Sequence, residues 1–215
     1  MPAGFVAIVP TTEGGLACDG MITANITGLA DIAPEDPEPE FVAINDENEI
    51  VVTLQENNCN LVVDMETDEI IASFDAGYVA LDGIDTIEDG LILQVDSVPA
   101  DTAEDEDADA AISRESEVPG ILREPDGVAW IGSTDYFATA NEGDLDGGSR
   151  GWSIVDAATG EVVYDSASFM EWETARIGHY PDERSENKGN EPENIFYESF
   201  PDFGTEYIFV LSERS

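Results

Sequence analysis

The chain has 215 residues, with 49 Asp and Glu set against 7 Lys and Arg, a formal net charge of −42. No basic surface exists to neutralise phosphates, which excludes a general nucleic-acid binder. No apolar run approaches the roughly 18 residues of a spanning helix, and MPAGFVAIVP has neither the basic start nor the long apolar stretch of a secretory signal.

So acidic a composition raises the question of disorder. The hydrophobic fraction of 42% and buriable runs such as EIVVTLQ, EIIASF, GVAWIG and YIFVLS argue for a folded domain in an acidic coat. Lys188 is the only lysine. Exchange of Lys for Asp and Glu keeps a surface hydrated in brine, where charge repulsion is screened within about 3 Å at 1 M salt. A halophilic host is therefore expected, the alternative being an acidic protein of an ordinary host. Cys18 and Cys59 are too few for a disulfide framework; they form one pair or two free thiols.

In chain order, 1–35 reads as a strand segment or partial unit, with candidate strands near Phe5–Asn25. Region 36–75 carries period-2 strands at Phe41–Asn45, Glu49–Gln55, Asn60–Asp64 and Glu69–Phe74. Region 76–122 is an insertion whose DTAEDEDAD stretch has no apolar face. Region 123–165 repeats the pattern at Gly127–Ile131, Tyr136–Ala140, Trp152–Asp156 and Glu161–Asp165. Region 166–190 reads as a loop, and 191–215 carries strands at Asn194–Glu198 and Glu206–Leu211. No long helical period is present.

The strand sets are copies of one unit. Glu38-Pro39-Glu40-Phe41-Val42-Ala43-Ile44 matches Glu124-Pro125-Asp126-Gly127-Val128-Ala129-Trp130, and both match Glu191-Pro192-Glu193-Asn194-Ile195-Phe196-Tyr197. A strand ending in a polar cluster follows each time: VVTLQENN, YFATANEGD and YIFVLSER. Proline and the cluster glutamate (Glu56, Glu142, Glu213) lie 17, 17 and 21 residues apart. A repeated unit of four antiparallel strands is the pattern of a β-propeller blade, whose apolar faces are covered by its neighbours. The expected fold is all-β, a partial propeller of about three blades with the last incomplete.

The segments EPEFVAI, VVTLQENN, EPDGVAW, YFATANEGD, GSRGWSIVDAATGEVVYDS and DERSENKGNEPEN resemble the choice-of-anchor I family. That family comprises extracellular or surface-attached prokaryotic propellers, some regarded as alkaline-phosphatase-like or phytase-esterase-like. The resemblance runs from about Asp36 to Ser215. It implies a propeller fold and a secreted or cell-surface setting. Relatives often carry a longer loop after Asn141-Glu142-Gly143-Asp144, and they continue through further blades, so the remaining blades are expected outside this chain.

Topology alone gathers chemistry at one pole. Strand one leaves the Glu-Pro-acid tripeptide and strand two returns to it, so both loops of every blade share one end. Candidate metal ligands are Glu40, Glu56, Asp126, Glu142, Asp144, Glu193 and Glu213, with Glu38, Glu124 and Glu191 on the same face and amide oxygens from Asn57, Asn58 and Asn141. Hard carboxylate and carbonyl oxygens suit Ca²⁺, which takes about 6–8 of them. The competing reading is that tripeptide and acids cap loop amides. Arg150, Arg184, Lys188 and Arg214 adjoin these loops and are candidate anion ligands; their plainer role is ion pairing with neighbouring acids. His179 is the only histidine, and no G-x-S-x-G elbow, Walker A or G-x-G-x-x-G motif occurs. Three readings follow: a surface binding domain with Ca²⁺ as candidate cofactor and a small anion or surface molecule as partner; a Ca²⁺-dependent phosphoesterase; or a non-functional truncated fragment.

Overall fold

A computed structural model of the chain describes residues 4–79, 121–142, 148–181, 184 and 189–214. The DTAEDEDAD stretch, Asp144 and Lys188 lie outside these residues. Four-stranded antiparallel sheets form where the repeat predicts them. The first comprises β5 (Pro39–Ile44), β6 (Glu49–Leu54), β7 (Cys59–Asp64) and β8 (Ile70–Asp75), hydrogen-bonded in that order. The second comprises β11 (Pro125–Trp130), β12 (Tyr136–Asn141), β13 (Gly151–Asp156) and β14 (Val162–Asp165). The third has two strands, β15 (Pro192–Phe200) and β16 (Thr205–Ser212). Before them, β1 (Phe5–Ile8) pairs with β4 (Ile22–Asn25) around a small hairpin of β2 (Thr11–Thr12) and β3 (Gly15–Leu16). A short ladder joins β9 (Tyr78–Val79) to β10 (Ile121–Leu122).

The tripeptides differ in one respect from the sequence reading. Their prolines begin the first strand rather than precede it. Each proline pairs with the end of strand two, as Pro39 with Leu54, Pro125 with Asn141 and Pro192 with Ser212, and the ladder then shifts register. A proline cannot donate to a ladder, but it is tolerated at the first residue of a strand or beside a bulge. All three sheets use both conditions at once. The same register pairs place every tripeptide beside the end of strand two, which is the shared pole expected from topology.

Sheets stack face to face through successive apolar cores. Val6, Ile8 and Ala24 of the N-terminal sheet pack on Ile50, Val52, Leu61 and Val63. The opposite face of that sheet presents Phe41, Ala43 and Val51 to Val128, Trp130, Phe137 and Val155. The second sheet in turn offers Ala129, Ala138, Ala140 and Ile154 to Ile195, Ile208 and Val210. Alternating side chains on each strand thus serve two different neighbours, the arrangement of propeller blades. Trp130 donates its indole N–H to the Ala43 carbonyl at 3.2 Å and meets Phe137 edge-on, so it is an inter-sheet packing residue. Trp152 stacks near Tyr164. Cys18 and Cys59 are both free, and burial pushes the Cys59 thiol upward from its ordinary pKa.

The region expected to be a loop at 166–190 contains a helix, α1 (Phe169–Arg176). It has no apolar stripe: Phe169 and Trp172 are exposed, and its buried residue is Glu171. The buried side of α1 is anchored by charge. Arg150 Nη1 lies 3.3 Å from Glu171 Oε1, and Tyr180 donates its hydroxyl to the same oxygen at 3.1 Å. A hydrophobic-periodicity reading has nothing to find in such a helix.

Candidate functional site

The pole is built by close contacts between sheet ends. At the end of β6, Gln55 donates its amide to Glu142 Oε2, beyond the end of β12, at 2.6 Å. Glu142, Glu191 and Glu193 then bring one carboxylate oxygen each within 4.8 Å of one another. Glu142 and Glu191 are buried and Glu193 half-buried. Three segments therefore meet here: the ends of β6 and β12, and the tripeptide opening β15.

Two arginines border the cluster. Arg184 Nη2 pairs with Glu191 Oε1, and Arg214 Nε approaches Glu191 Oε2 at 3.3 Å. Arg214 Nη2 also lies 3.1 Å from Glu213 Oε1. Burial works to raise the Glu191 pKa, but hydrogen bonds from Glu213 and Arg184, the Arg184 charge and the Arg214 bond outweigh it, leaving Glu191 below the ordinary carboxylate range. Glu213 moves the other way. Its hydrogen bond to Glu191, then burial, then the charges of Glu193 and Glu191 raise it against the pull of Arg214. As pH falls, Glu213 therefore takes up a proton before Glu191 does.

Of the expected metal ligands, the structure brings Glu142 and Glu193 together and links Glu213 to them through Glu191. Glu191 was placed on this face by topology but is here the central carboxylate. Gln55, next to the repeat-aligned Glu56, was not anticipated; its signal was adjacency alone. Glu40 is exposed on β5 and Glu56 half-buried. Asp126 is buried, its backbone carbonyl accepting from Thr53 Oγ1 at 2.6 Å.

The asparagine amides latch neighbouring segments together. Asn57 accepts the Glu38 backbone N–H and donates to the carbonyls of Ile32, Ala33 and Asp36. Asn58 accepts the Glu124 N–H at 2.9 Å and donates to Asp75 and Gly77. Asn141 accepts from Thr139 and donates to Ser153. That polar chain continues from Ser153 to Asp165, which is also held by Arg123. Every arginine among the described residues is ion-paired within the chain. Arg150 is buried on Glu171; burial opposes its charge, but the carboxylate and Tyr180 hold the guanidinium protonated.

Comparison with known proteins follows the same lines. The model of the choice-of-anchor I domain matches residues 16–147 and 146–215. The chain belongs to the choice-of-anchor I domain family. Choice-of-anchor I membership places it among domains of cell-surface proteins. No curated protein matches it. Among solved structures, it is similar to a protein of unknown function from Bacteroides caccae, at 11% identity and a TM-score of 0.35, over 73% of this chain and 47% of that one. It is also similar to the β-propeller domain of Myceliophteria thermophila Cps50 (Swd1), at 12% identity and a TM-score of 0.22, over 82% of this chain and 54% of that one. The chain thus spans about half the length of each of these structures. Among the described residues, no helix is long and apolar enough to cross a membrane.

Proposed function

We propose that this choice-of-anchor I chain is a binding domain of a halophilic surface protein and that its carboxylate pole takes a divalent cation, with Ca²⁺ the best chemical match. The observation that supports this reading is the approach of Glu142, Glu191 and Glu193 to within 4.8 Å. Carboxylates brought together in a partly buried place repel one another, and a hard cation relieves that repulsion while gaining oxygen ligands. Glu142 and Glu193 would supply the principal ligands. Glu191, already bonded to two arginines, would be the weaker third. The cation would offset negative charge at the pole and give an anionic ligand a point of attachment beside Arg184 and Arg214.

The test is calorimetric titration of CaCl₂ into the protein in molar KCl, beside an E193Q variant. Saturable binding lost in E193Q supports the reading. Absence of heat and of any thermal shift with Ca²⁺, Mg²⁺, Mn²⁺ or Zn²⁺ removes it. A phosphoesterase is the second reading, favoured by the two arginines next to the carboxylates, since a cation polarises a phosphoryl oxygen and a guanidinium holds it. Phosphate release from p-nitrophenyl phosphate or phytate, abolished by EDTA, would select it over simple binding.

A further inference from the structure

At the end of the sheets far from the carboxylate pole, the first strands β5, β11 and β15 converge on a cavity of about 330 Å³, beside the turns that lead into the second strands. Small-molecule sites run from roughly 300 to 1,000 Å³, so this one has room for a small organic molecule. Its walls come from sheets already in mutual contact. The second sheet, in the middle, is packed on both faces. Tyr197 alternates with Ile195, which is buried against that sheet, so Tyr197 also turns inward and away from the outer face of β15 and β16.

The lining narrows the chemistry of an occupant. Gly132 has φ +55°, and a Cβ built on it would stand 3.0 Å from the Tyr197 hydroxyl and 3.5 Å from Tyr197 Cε1, so the missing side chain is what lets the phenol ring lie over this turn. Trp130 adds a second aromatic wall, with its indole N–H already given to the Ala43 carbonyl. The Asn45 side chain is engaged too: its oxygen accepts the backbone N–H groups of Glu47 and Glu49, and its amide donates to the Glu49 carboxylate. That leaves aromatic surface and the exposed carboxylate of Asp46. Glu206 adds negative charge beside Tyr197: burial first, then that charge, raise the phenol above its ordinary pKa and keep it neutral. None of the lining residues is basic. A sugar needs several hydrogen-bond partners and an anion needs a counter-charge; the side chains here supply few of the former and none of the latter. A methylated ammonium needs neither, and ring faces and a carboxylate both attract it.

We propose that this cavity binds a small quaternary ammonium cation, with its headgroup against Trp130 and Tyr197 and its charge beside Asp46. Contact with a ring face and contact with an exposed carboxylate each favour the cation by about two- to fivefold. Both act at short range. Molar salt, which screens charge beyond about 3 Å, therefore weakens the long-range attraction of the acidic surface and leaves the seated contacts in place. The cavity shares no residue with the Glu142, Glu191 and Glu193 cluster, so the two sites are tested separately.

The experiment is an NMR titration of choline chloride into isotope-labelled protein in molar KCl, read at the Trp130 indole N–H and the Gly132 amide. Dimethylbutanol, the uncharged carbon isostere of choline, is titrated beside it. Both signals should shift saturably with choline, and the alcohol should bind at least about fivefold more weakly. Asp46→Asn and Tyr197→Leu should each weaken choline binding by about two- to fivefold. Asp46 is exposed, so Asp46→Asn decides the matter if Tyr197→Leu fails to fold. No shift up to tens of millimolar choline, equal binding of choline and the alcohol, or a choline affinity unchanged in Asp46→Asn or in folded Tyr197→Leu overturns the proposal.

Discussion

Gly127 marks a close approach between the second and third sheets. A Cβ built on it lies 2.5 Å from the Glu193 carbonyl oxygen, 2.6 Å from Asn194 Cα and 3.1 Å from Ile195 N. All three are backbone atoms, so no rotamer change relieves the contact. Restoring ordinary contact at 3.4 Å requires β11 and β15 to separate by about 0.9 Å. Overpacking of this kind costs about 1–3 kcal/mol. For a chain of this size each kcal/mol lowers Tm by roughly 2–4 °C. Gly127→Ala should therefore melt several degrees below wild type in 3 M KCl, and it should weaken cation binding because the displaced segment carries Glu193. Gly14→Ala is the control: its Cβ meets nothing closer than Thr12 Oγ1 at 3.7 Å. If both variants melt within a degree of wild type, the inner strands do not converge as described and the composite pole loses its basis.

Arg150→Met leaves Glu171 buried without its guanidinium and should cost about 3–5 kcal/mol by thermal or urea unfolding in molar salt, with much of the loss recovered by adding Glu171→Leu. Asn58→Asp keeps the acceptor for the Glu124 N–H and tolerates the left-handed backbone at φ 48°, but it loses two donated bonds and faces Asp75 with like charge; a loss of about 1–3 kcal/mol at pH 7 is expected, smaller at pH 4. Glu213→Gln tests the shared proton. Because the folded-state pKa of Glu213 is raised, its contribution is full below the ordinary value of about 4.3 and fades as pH climbs through the raised one. Glutamine donates at every pH, so the variant should melt close to wild type at pH 4 and above it at pH 7. The lowered Glu191 has the opposite dependence, losing its contribution as pH falls, in both proteins alike.

The strands and their stacking were legible in the sequence because each depends on local signals repeated in register. Val, Ile, Phe and Trp alternate with polar residues, and Glu-Pro-acid marks every first strand. The common pole was legible for the same reason, since antiparallel order alone returns strand two to the tripeptide. What escaped was contact chemistry between units. Nothing in the spacing distinguishes Asn58, which ties one sheet to the next, from an asparagine offered to a ligand. Helix α1 escaped because Arg150 and Glu171, 21 residues apart, fasten it by charge rather than by an apolar face. Glu191 emerged as the central carboxylate because Arg184 and Arg214 approach it from different segments, a convergence no linear motif encodes.

The polar network from Thr139 through Asn141 and Ser153 to Asp165, which Arg123 holds, links β12, β13 and β14 of the second sheet. Apolar packing alone would let neighbouring strands slide by a residue pair with little loss, whereas these side chains engage in only one alignment. Since this network runs through buried and half-buried groups, a change in salt concentration should leave that alignment untouched while the exterior charges change their mutual repulsion. The blade can thus keep its shape in dilute and in concentrated salt, even as its surface behaves differently at each extreme.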